Sequence, residues 1–130
     1  MKRFLTILLA ILAFSACQST ESRVQDVAET FLNAYYSGDY EAAATSCTPE
    51  YGERLTRYSS ALDGISPQMK AKMQENLSQT SFQIDSIKVD ESAASAFVHY
   101  HITTPSLDKP VPKGLKLQLE GRTALVDGIQ

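Results

Sequence analysis

The sequence predicts an α+β domain, with N-terminal helices packed on an antiparallel sheet of three to four strands. Three observations predict it. The apolar residues of the first half recur at helical spacing. Cap signals at Ser22, Thr48-Pro49 and Ser66-Pro67 divide that half into segments. From Ser81 onward the apolar period falls to two, the spacing of strands. Helices first and strands after is the α+β order.

Ser22 with Gln25 three residues on is a capping-box pattern. Val24, Val27, Ala28, Phe31, Leu32 and Tyr35 then form one continuous helical stripe. Gly38 is placed for a left-handed cap, and Asp39 for capping the short alanine-rich "YEAAATSC". Thr48 as N-cap and Pro49 at the first helical position start the next helix. Its apolar face is Tyr51, Leu55, Tyr58 and Leu62, and Asp63-Gly64 ends it. After Ser66-Pro67, Met69, Met73 and Leu77 fall at spacing four, flanked by Lys70 and Lys72. That stripe reads as core, or as a docking surface for another protein if it is exposed.

In "SFQIDSIKV", Phe82 and Ile84 share one parity and Ile87 and Val89 the other. A bulge near Asp85-Ser86 reconciles them. "SAFVHYHIT" is a strand with Val98, Tyr100 and Ile102 on one face and Phe97, His99 and His101 on the other. Pro105 to Gly114, with three of the five prolines, reads as a long hairpin loop. Leu115, Leu117 and Leu119 alternate inward, and "TALVDGIQ" continues as strand after Gly121-Arg122.

A chain of 130 residues with 43% hydrophobic and 21% charged residues suits one globular domain. The formal charge is −3, and no basic patch interleaved with aromatics appears, which argues against a nucleic-acid partner. The two cysteines form no CxxC or Cys/His metal spacing.

The N-terminus carries a separate signal. Lys2 and Arg3 precede thirteen uncharged residues, Phe4 to Ala16, too few to span a bilayer comfortably. This is the h-region of a secretory signal peptide. Phe14-Ser15-Ala16-Cys17 resembles a bacterial lipobox, with Phe14 in place of the usual leucine. The resemblance implies cleavage before Cys17 and acylation of its thiol and new amino group. Two or three acyl chains hold a protein stably on a bilayer. The other reading is an ordinary secreted protein cut near "FSA", with Cys17 a bystander. On the lipobox reading residues 1–16 are a signal peptide, 17–22 a lipidated tether and 23–130 one domain. Gln18, rather than aspartate, leans toward the outer membrane, with the domain periplasmic or surface-exposed. Loss of Lys2 and Arg3 leaves ten basic and fifteen acidic residues, a formal charge of −5. Cys47 then has no disulfide partner and reads as a small buried hydrophobe on a helix.

The stretch "VQDVAETFLNAYYSGDYEAAATSCTPEY" resembles small bacterial lipoproteins of unknown function in the nuclear-transport-factor-2-like, or cystatin-like, superfamily. The features are the long helix, Gly38-Asp39-Tyr40, the alanine-rich segment, Thr48-Pro49-Glu50 and the late Val126-Asp127-Gly128. The resemblance implies a curved sheet wrapped on helices around a cone-shaped cavity. Its motifs specify fold rather than chemistry.

Three features carry candidate chemistry. His99 and His101 point the same way from one strand, but two imidazoles are too few for zinc. A third ligand would have to come from Asp85, Asp90 or Glu91. A His–carboxylate pair facing the cavity would instead suit an acid–base enzyme of lyase or isomerase type. Alternation leaves the facing of the histidines open. The tyrosines, chiefly Tyr35, Tyr36, Tyr58 and Tyr100, read as core or as the lining of a pocket for a small apolar ligand. The expectation is a non-catalytic domain, without cofactor or metal, that binds a small ligand or an envelope protein. Labelling cells with a radioactive fatty acid tests the anchor: the wild-type chain takes the label and Cys17→Ala does not. Equal labelling of both excludes acylation at Cys17.

Overall fold

The computed structural model describes residues 19–130. The apolar N-terminal stretch, Cys17 and Gln18 lie outside the described residues. Within them the order is α1 (Thr20–Tyr36), α2 (Tyr40–Ala44), α3 (Pro49–Leu62), α4 (Pro67–Ser78), then β1 (Ser81–Asp90), β2 (Ser95–Thr103), β3 (Val111–Glu120) and β4 (Thr123–Ile129). The strands form one antiparallel meander, β1-β2-β3-β4. The fold is α+β.

The cap of α1 is Ser19, not Ser22. Ser19 is extended and its hydroxyl accepts from the Ser22 amide at 3.1 Å, so the helix begins three residues earlier than the capping-box pattern suggests. Glu21 in the first turn suits the helix dipole. At the other end Gly38 takes φ +84°. The Asp39 amide reaches the Ala34 carbonyl and the Gly38 amide the Tyr35 carbonyl, which is a Schellman closure. Asp39, Thr48 and Ser66 each cap the following helix through a side-chain oxygen. The four N-terminal amides that a helix leaves open explain why these residue types recur there.

Val24, Ala28, Phe31 and Leu32 bury one face of α1 against the sheet. That helix touches β1 and β4, the two outer strands. Four strands laid flat are about 14 Å across, wider than one helix, so the sheet must curl around α1. Five inward residues of β2 to β4 are fully buried, Val98, Tyr100, Leu115, Leu117 and Val126, while Ile102 and Leu119 near the strand ends are half-buried. The bulge falls between Ile84 and Ser86, where Asp85 has no partner opposite. It turns Phe82, Ile84, Ile87 and Val89 all toward the helices, though each stays only half-buried.

Three local expectations differ from what forms. The β2–β3 loop is shorter than Pro105–Gly114, because Pro112, Lys113 and Gly114 lie within β3. Cys47 is buried but sits between α2 and α3 in a parallel bridge to Val126, not on a helix. The α4 stripe is not core. That helix has no buried residue, and Met69 is 62% exposed.

The uncovered sheet face has its own fit. Phe97 lies beside Gly114 on β3, and a Cβ at Gly114 would come within 2.3 Å of the ring. The ring rests where a side chain is missing. Gly114→Ala should therefore displace Phe97 and cost about 1 kcal/mol. In a Phe97→Ala background the same change should cost nothing, so a thermal-unfolding double-mutant cycle checks the contact.

Candidate functional site

The sequence singled out Tyr35, Tyr36, Tyr58, Tyr100, His99 and His101 as one pocket. The structure divides them between two sides of the sheet. The tyrosines join a ring network on the helix side. Tyr58 meets Tyr40 edge-on at 5.1 Å, Tyr40 meets Tyr35 at 5.4 Å, and Tyr35 meets Tyr36 at 5.1 Å. Tyr36 then faces Tyr100 at 6.3 Å and Phe82 at 6.3 Å. Phe31 stacks on Tyr35 at 5.5 Å. Such edge and offset contacts suit the ring quadrupoles. The network grades from surface to core: Tyr58 is 48% exposed and Tyr100 only 1%. Tyr40 and Phe31 are central members that the pocket reading missed. The signal for Tyr40 was its place directly after the Asp39 cap, which forces it into the first turn of α2.

The Tyr36 and Tyr100 hydroxyls share a hydrogen bond at 3.1 Å. No buried side-chain nitrogen or oxygen of the described residues lacks a partner. Burial pushes the Tyr35 and Tyr51 phenols up to about 12, with neighbouring tyrosines adding to it. Burial likewise raises Tyr36 and Tyr40. Tyr100 is raised by burial and by its bond to Tyr36. Cys47 is held similarly: its thiol donates to the Ala43 carbonyl at 3.2 Å, and burial pushes it up to about 12. A thiol so raised is not a nucleophile at neutral pH.

Tyr36 and Phe82 line a cavity of about 390 Å³ with Leu32 and Leu77, rimmed by Asn33 and Ser81. Tyr35, Tyr58 and Tyr100 do not line it. The volume is that of a small-molecule site. A second cavity of about 470 Å³ continues along the same seam between α1 and β1, and Phe82 borders both.

The histidines occupy the opposite, uncovered face of β2. His99 is exposed and its ring lies 4.6 Å from that of Phe97. His101 Nδ1–H donates to the Asp85 carboxylate, 2.9 Å from each oxygen. The bulge that turns the β1 apolar residues inward also presents Asp85 to His101. This is a His–carboxylate pair, but it faces solvent and not the helix-covered interior. Both side chains are partly exposed, which keeps the attraction small. Asp90 binds its own turn through Ser92 and Ala93, and those bonds hold its carboxyl below the usual range. Among the described residues no group of three or more His, Cys, Asp or Glu is placed to hold a metal ion. Asp90 and Glu91 therefore do not complete a site with the histidines. Among the described residues no helix is long and apolar enough to cross a membrane.

No family model matches the sequence, and no curated protein does. Among solved structures, the chain is similar to an NTF2-like protein of unknown function from Cytophaga hutchinsonii. The identity is 12%, with 82% of this chain and 87% of that chain covered and a TM-score of 0.43.

The buried phenols set the response to alkali. Unfolded tyrosines lose their protons near pH 10, whereas Tyr35, Tyr51 and Tyr100 keep theirs in the fold. The folded state then binds more protons than the unfolded one, so stability is intact below about pH 10 and falls above it. The urea midpoint should hold from neutral pH to about 10 and then drop, with a shallower drop in Tyr100→Phe. An unchanged midpoint at pH 11 contradicts the burial of these groups.

Proposed function

We propose that this chain is a lipid-anchored protein of the bacterial envelope whose α+β domain binds rather than catalyses. Cys17 is the anchor, acylated after removal of residues 1–16, and the bilayer is its first partner. The outer membrane is the favoured site. The observation that carries the non-catalytic reading is what fills the interior. Of the described residues, the only buried polar or charged side chain outside the tyrosines is Thr48, which caps α3. The tyrosine hydroxyl deepest in the core is bonded to another tyrosine. A cavity enzyme of lyase or isomerase type needs a base and an acid beside the substrate. Of the pair available, His101 lies on the outer sheet face, and Asp85, at the bulge, borders the open 470 Å³ cavity rather than the closed core.

Binding at the α1–β1 seam suits this arrangement better. Half-exposed apolar residues and a cavity of about 390 Å³ are found there, away from the histidines. The enzyme reading keeps one specific observation, the 2.9 Å contact of His101 with Asp85. Complementation of a deletion strain separates the two. The His99→Ala/His101→Ala chain should rescue the deletion phenotype as fully as wild type, and Cys17→Ala should not. Failure of the folded double-histidine variant would move the assignment to catalysis on the outer face.

A further inference from the structure

We propose that the groove between α1 and the free edge of β1 takes an extended basic segment of a partner protein, which joins the sheet as a further strand. This deepens the binding reading above and rests on it.

The two edges of the sheet differ. On β4, the Val126 amide donates to the Ser46 carbonyl at 2.8 Å and the Thr48 amide to the Val126 carbonyl at 2.9 Å. That edge is partly closed by the chain itself. On β1, no backbone group of the described residues pairs outside the β1–β2 ladder. An edge strand left open is a template for another strand. The β1 edge is also where burial is unfinished. Ile84 and Ile87 face the helices yet remain half-buried, while their partners across the ladder, Tyr100 and Val98, are fully covered; Phe82 and its partner Ile102 are both half-buried. Phe82, Ile84 and Ile87 together floor the 470 Å³ cavity.

The wall opposite is a line of α1 residues. Glu21, Gln25 and Glu29 recur at spacing four and all border the cavity. Glu21 to Glu29 spans about 12 Å at 1.5 Å per residue. In an extended chain, residues four apart on one face span about 13 Å. Two cations at i and i+4 of such a chain therefore match the two glutamates. Among the described residues, neither glutamate is paired with a lysine or arginine. A second copy of this chain suits the edge poorly, because two such walls would bring four glutamates together. The bulge at Asp85 limits regular pairing, leaving Ser81–Ile84 as the straight stretch for strand addition. Main-chain bonds there would supply affinity, and the glutamate wall would select charge.

The test uses the full chain in non-ionic detergent with two ten-residue probes, one alternating lysine and valine, the other glutamate and valine. The lysine peptide should bind and slow amide hydrogen exchange across Ser81–Ile84, and the glutamate peptide should do neither. Ile84→Lys, and separately Glu21→Gln/Glu29→Gln, should each weaken binding about tenfold. The second variant alters only the surface and stands if the first fails to fold. Glu50→Gln/Glu53→Gln on α3 should bind as wild type does. Equal weakening in the α3 variant, equal binding of the acidic peptide, absent protection at β1, or a dimer already protecting β1 would each overturn the proposal. Acyl labelling and histidine complementation are read without any peptide, so the anchor and the non-catalytic reading stand or fall separately.

Discussion

The fold depends on a clip between its two halves. Thr48 caps α3 and its hydroxyl donates to Asp127 Oδ1 at 3.1 Å, while its amide bonds Val126. One buried threonine thus satisfies a helix terminus and fastens the helices to the last strand. Asp127 also accepts from Gln118 on β3, which extends the attachment across the hairpin. Arg23 makes a second tie, from α1 to the Arg122 carbonyl at 2.7 Å in the β3–β4 turn. Both ties lie at the β4 side. No such tie among the described residues holds α1 to β1, and the seam there stays open. The asymmetry of the groove follows from where the clip is.

Much of this was legible in the sequence. The α1 stripe was, because four buried positions at helical spacing leave few other structures. The Asp85 bulge was, because the parity of apolar residues changes across it and burial tolerates only one inward face. The motifs Thr48-Pro49-Glu50 and Val126-Asp127-Gly128 were visible as separate signals, but not that they touch.

Other features resisted for physical reasons. Pro112 looked like loop because proline lacks the N–H that a central strand needs. It is tolerated because β4 pairing ends near Gly114, so Pro112 lies at a local edge. The facing of His99 and His101 stayed open because alternation sets only which residues share a face, and Phe97 puts a large apolar ring on the face of the histidines. What allows Phe97 outside is Gly114 on the neighbouring strand, a relation that exists only once the register is set. The α4 stripe had the spacing of a core helix, yet no other element covers Met69. The groove had no sequence signal at all, since it depends on which way α1 crosses a curled sheet.

The early start of α1 bears on how the domain is held. If Cys17 carries the lipid proposed above, only Gln18 separates the anchor from the Ser19 cap. Such a leash has almost no slack, about 7 Å fully extended. The domain could not swing out into the aqueous space as a tethered scout does. Since α1 is itself about 25 Å long, every residue along its wall would stay within a few nanometres of the lipid headgroups. Whatever engages the protein there would have to come down to the membrane surface, or already live in it.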